Sequence, residues 1–171
     1  INFDNRFLDW VAIQTEVPID LDSSALFPLG RAGGIAALNS GMVDLEEKSL
    51  QQVVVGGVDS FVDLGLLASL DKEKRINGPG IMDGFIPGEA ASFFAIQSSD
   101  LSPRNGVAES SGSPLGKIII HSPGLSTEPG HRYCNTEPYK GEGLATAVSQ
   151  SLESSIAYTV QTVLCTFNGE S

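Results

Sequence analysis

Some stretches of this chain place apolar residues at helical spacing, and others bunch them into short runs that suit strands. Near the start, Phe7, Leu8, Val11 and Ala12 fit one face of a short helix. After Pro18, Ile19 and Leu21 alternate with Asp20 and Asp22, as in a brief strand. Residues 29–42 predict a helix in which Leu29, Gly33, Ala36, Ala37 and Ser40 share a face, with Ile35 and Leu38 beside it, and 39–41 stop it. This segment is rich in small residues: Gly30, Ala32, Gly33, Gly34, Ala36 and Ala37. A helical glycine costs about 1 kcal/mol relative to alanine. The segment is therefore expected to be buried on most sides, where only small residues fit.

Residues 52–58 form an apolar run with three consecutive valines, broken by Gly56, Gly57 and Asp59, and suit a strand covered on both faces. Residues 61–70 read as a helix with Leu64, Leu67 and Ala68 on one face. The charges of 71–75 mark its solvated end, and 77–80 form a turn. A strand is expected at 90–97, a Ser-, Pro- and Gly-rich linker at 98–116, and another strand at 117–121, with its three isoleucines. A polar loop over 122–141 leads to a helix at 143–155, carried by Leu144, Val148 and Leu152, and a last apolar strand at 159–167. Alternation of helix and strand predicts an α/β protein with mainly parallel sheets. Chemistry in such folds gathers where strands end and helices begin. The loops after Val58 and Phe167 and the start of the 29–42 helix are the places it selects.

The chain has 171 residues, 18.0 kDa and 41% hydrophobic content, enough for a core and the size of one domain or a large piece of a longer protein. Ten basic residues stand against twenty-one acidic ones, a net charge of −11. That balance argues against a nucleic-acid or anionic-membrane partner. No apolar stretch approaches the length that crosses a bilayer. Asp4, Arg6 and Asp9 interrupt the first ten residues, which do not read as a secretory signal. The chain does not begin with Met, so a processed, trimmed or internal piece is expected. Two cysteines, Cys134 and Cys165, make no disulfide framework, and a reducing, cytoplasmic setting is expected. No CxxC pair supports a structural zinc site.

Several of these stretches resemble one family. VVVGGVDS at 53–60 resembles the strand after the nucleophile helix of β-ketoacyl synthases. DGFIPGEAA at 83–91 resembles their turn before the last strand of the first half. The small-residue helix lies at the right distance before both. Residues 117–121 resemble the entry into the second half, and 163–171 the strand that carries the first active-site histidine. The resemblance implies a thiolase-like fold: two similar α/β halves, each a mixed, mainly parallel sheet, with a buried helix layer. Residues 1–97 would be the later part of the first half, 98–116 a linker, and 117–171 the beginning of the second half, the whole being incomplete.

The resemblance also implies site residues. Counting back from Gly41 by the family's helix length, the nucleophile position falls on Ser24, with Ser23 as its neighbour; the family's cysteine is missing. A serine there needs an adjacent base to be activated, and Ser23 or Ser24 equally suits a turn or helix cap. The family's first histidine position holds Asn168, followed by Gly169 and Glu170. Asparagine can donate to an oxyanion but cannot shuttle a proton, and Asn-Gly is also a common turn pair. Glu89 occupies the acidic position of the turn motif, with a structural role expected. Arg31 is expected to pair with Glu89 or Asp59, and Asp59 suits a turn after the double glycine. His131 and Cys134 lie three apart in the polar loop near His121, without a third-ligand pattern, and read as surface loop residues. Cys165 reads as a buried, inert thiol. No cofactor and no metal are expected.

The function implied is β-ketoacyl synthase-like acyl transfer and condensation on carrier-protein thioesters, in fatty-acid or polyketide biosynthesis. Its partners would be acyl carrier protein or an acyl-CoA thioester, in a homodimer or heterodimer. The alternative is a catalytically inactive partner or scaffold subunit of the same fold. A third reading is a small α/β binding module unrelated to that family.

Overall fold

The computed structural model describes residues 6–98, 118–130, 136–153 and 162. Helix α1, Arg6–Thr15, comes first. A short 3₁₀ turn, Gly30–Ala32, leads into helix α2, Gly33–Glu47. Strand β1, Val53–Ser60, is followed by helix α3, Leu64–Lys72. Strand β2, Glu89–Ile96, and helix α4, Glu142–Glu153, complete the elements. Residues 19–22, read as a brief strand, instead bend into a turn.

β1 and β2 pair as a two-stranded antiparallel sheet. This overturns the expected thiolase-like fold with its mainly parallel sheets and buried helix layer. The physical reason lies in the connection. A parallel neighbour needs a crossover that carries the chain back to the same end of the sheet. Here residues 61–88 pass through α3 and a tight loop, then re-enter alongside β1 in the opposite direction. The isoleucines of 118–120 join no ladder and stand 83%, 65% and 40% exposed, so the strand expected at 117–121 is absent from the described residues. The strand expected at 159–167 and the linker at 98–116, apart from Ser98, lie outside the described residues.

The described residues divide into two compact units. The first contains 6–55, 94–98, 118–130 and 136–153. Its core centres on one face of α2, where Gly33, Ala36, Leu38, Gly41 and Leu45 are buried. A Cβ on Gly41 would meet Val53 Cγ1 at 3.1 Å and Val55 Cγ2 at 3.2 Å, so its absence lets β1 approach the helix. A Cβ on Gly33 would lie 2.6 Å from the Phe27 carbonyl oxygen. Ile35 and Val43, by contrast, are 44% and 40% exposed, and Gly34 is exposed with open space around it. The helix is thus covered along one face, not sandwiched between layers as expected. Its small residues serve two local close approaches.

In the same unit, the loop 122–130 is strapped to α4. The Glu128 carboxylate accepts the backbone N–H of Gly143 at 2.7 Å and that of Lys140 at 3.5 Å. A negative charge there satisfies free donors and opposes the positive end of the helix dipole. The Gln150 side-chain oxygen accepts the N–H of Leu125 at 3.0 Å.

The second unit contains 56–93 and residue 162. Asp63 starts α3 by accepting the Leu66 N–H at 2.8 Å. The helix ends in a Schellman pattern: Arg75 N–H donates to the Leu70 carbonyl at 3.0 Å and Lys74 N–H to the Asp71 carbonyl at 2.9 Å. Lys74 occupies the left-handed position with φ of 56°. Leu70 and Phe85 are the buried apolar side chains of this unit among the described residues.

Candidate functional site

Ser24 lies in a turn, nine residues before the first residue of α2 (Gly33), and not at that helix's N-terminus. The turn is organised by Asp20. Its carboxylate accepts the N–H groups of Asp22 at 3.1 Å and Ser23 at 3.4 Å. Ser24 N–H donates to the Leu21 carbonyl at 3.3 Å, and Ser24 Oγ donates to the Asp20 carbonyl at 2.6 Å. The Ser23 hydroxyl and then its backbone N–H hold the Asp20 carboxyl below the ordinary aspartate range, with a small further pull from Lys48. Ser23 and Ser24 are therefore turn-forming groups here.

Ser24 also lines an open cleft of about 440 Å³ with Leu8, Asp9, Leu21, Ala25 and Leu26. A serine nucleophile needs a base positioned to take its proton. Among the described residues that line this cleft the titratable side chain is Asp9, and the Ser24 hydroxyl proton is already committed to a backbone carbonyl. Arg31 follows Gly30 in the 3₁₀ turn and is exposed.

Glu89 and the 83–91 motif work together in the second unit. Glu89 Oε2 accepts the Ser60 hydroxyl at 3.1 Å, and Ser60 Oγ accepts the Val62 N–H at 3.2 Å. Phe61 N–H donates to the Gly88 carbonyl at 3.0 Å. The Phe61 ring meets the Phe85 ring edge-on, with centroids 5.1 Å apart. Phe85 in turn pairs with the 75–77 segment: its N–H donates to the Arg75 carbonyl at 3.0 Å and its carbonyl accepts the Asn77 N–H at 3.0 Å. Gly84 is required because a Cβ there would lie 2.5 Å from the Ile76 carbonyl carbon. The motif thus acts as a clasp that seats one phenylalanine and fixes the entry to β2. Within it, Glu89 holds the Ser60 hydroxyl. Asp59 is exposed on β1.

His121 is exposed beside the isoleucines of 118–120. Asn168, His131, Cys134 and Cys165 lie outside the described residues, and so do Gly169 and Glu170. Among the described residues no group of His, Cys, Asp and Glu is arranged to hold a metal ion. No helix there is long and apolar enough to cross a membrane. The capping carboxylate of Glu128 has no signal in the sequence, since it lies fifteen residues from the N–H it satisfies.

What the second unit does carry is exposed apolar surface. Val62 is 61% exposed, Leu64 87%, Met82 92%, Ile86 83% and Phe93 56%. Asp59, Asp63 and Glu89 are interspersed among them. No family model matches the chain, and no curated protein or solved structure matches it.

Proposed function

We propose that this chain acts by protein association, as a non-catalytic partner or scaffold subunit, and that residues 56–93 meet the same residues of a second copy. The observation that carries this reading is the exposure of Leu64, Met82, Ile86 and Phe93 in a unit whose described residues bury Leu70 and Phe85. Full burial of one such side chain is worth about 1.5–3 kcal/mol. Three per copy would offset much of the cost of association, roughly 4–15 kcal/mol. The setting proposed is cytoplasmic, in keeping with the two cysteines.

The net charge of −11 opposes self-association at long range. Salt screens that repulsion over about 8 Å at physiological ionic strength. Association driven by apolar contact should therefore tighten as salt is added. The same charge disfavours the phosphates of an acyl-CoA thioester, and the Ser24 hydroxyl is held by a backbone carbonyl. Both observations weigh against acyl transfer as the activity.

Sedimentation equilibrium tests the proposal. The expected result is a monomer–dimer equilibrium that strengthens with salt and is lost in the Met82→Asp/Ile86→Asp double variant. In parallel, incubation with a labelled acyl-thioester should leave Ser24 unmodified. A chain that stays monomeric at every concentration and salt, or one that acquires a Ser24 adduct, would contradict the reading.

A further inference from the structure

The sequence places Gly78 directly after Asn77, followed by Pro79 and Gly80. In this dipeptide the glycine nitrogen has no side chain shielding it from the asparagine carboxamide. We propose that Asn77 is a deamidation site kept silent by the fold of the 76–85 loop. In the reaction, the Gly78 nitrogen gives up its proton and attacks Asn77 Cγ. An N–Cγ bond forms, the Cγ–Nδ2 bond breaks, and Nδ2 leaves with a proton as ammonia. Water then opens the succinimide to aspartate or isoaspartate.

Four hydrogen bonds tie up the reacting groups and their neighbours. Gly78 N–H donates to the Ile81 carbonyl at 3.1 Å, and Ile81 N–H returns the bond to Gly78 at 2.9 Å. Asn77 Nδ2 donates to the Met82 carbonyl at 3.4 Å. Asn77 N–H donates to the Phe85 carbonyl. The 78–81 turn is itself pinned: Pro79 presets its own φ, and Gly80 supplies the left-handed residue with φ of 87°. Isoaspartate would lengthen the backbone between 77 and 78 by one carbon and put the Ile76–Phe85 bridge out of step. The modification would then unseat Phe85, the anchor of the clasp, so the loop is a switch that, once opened and modified, does not close again.

The test is mass-spectrometric mapping of the full chain, aged at mildly alkaline pH either folded or in urea. Asn77 should deamidate about tenfold or more slowly in the folded chain, because reaction waits on local opening. Gly80→Ala leaves the Asn-Gly pair intact but strains the turn, and should speed the reaction in the absence of urea. Equal rates at Asn77 in folded and urea-treated protein would overturn the proposal. So would a Gly80→Ala chain with unchanged circular dichroism and no acceleration.

Discussion

Lys74 carries a left-handed backbone at the end of α3, and Ser49 does the same beyond α2, with φ of 52°. Side chains with a Cβ resist that conformation by roughly 1–2 kcal/mol, and glycine does not. Part of the gain from a glycine is returned as unfolded-state entropy. Lys74→Gly is thus expected to stabilise the chain by about 0.5–1 kcal/mol in urea denaturation, since the Schellman hydrogen bonds stay in place. Asp20 supplies a pH dependence at the same scale. Its folded pKa is depressed, so its contribution to the 20–24 turn is full above the unfolded aspartate range and is lost as pH falls through the folded value. An NMR titration of its side-chain carboxyl should give a midpoint below that of an ordinary aspartate. The midpoint should rise towards the ordinary value in the Ser23→Ala variant, which removes the largest contributor.

Among the elements, the clasp built by 83–91 is the most informative. Phe85 is buried against Phe61 and pairs by backbone with Arg75 and Asn77. Phe85→Ala should cost about 3 kcal/mol or more if the site cannot collapse. Amide exchange should then rise first at Asn77 and Phe85, the two N–H groups whose bonds it loosens. The strands expected at 52–58 and 90–97 and the helices expected at 61–70 and 143–155 lie within three residues of β1, β2, α3 and α4, because each element's pattern is local. The direction of β2 was not legible. A run of valines reads alike in parallel and antiparallel sheets, and the direction is set where the 61–88 connection closes, with Phe61 N–H donating to the Gly88 carbonyl. The small residues of α2 misled for a related reason. Gly33 and Gly41 mark single close contacts, and a one-dimensional pattern cannot distinguish these from a helix enclosed on all sides. The distance from Gly41 points to Ser24, but the surroundings of Ser24 are set by Asp20 four residues earlier.

For the whole molecule, the open matter is what covers the exposed apolar side chains of 56–93. Val62, Leu64, Met82, Ile86 and Phe93 stand in water in the single chain. The proposed association works against the acidic excess, whose repulsion salt screens. Hydrogen–deuterium exchange of the full chain, compared at low and high protein concentration, tests this most directly. The account predicts added protection at high concentration confined to amides of 56–93, and larger when salt is raised. Exchange in 56–93 that does not change with concentration would contradict it.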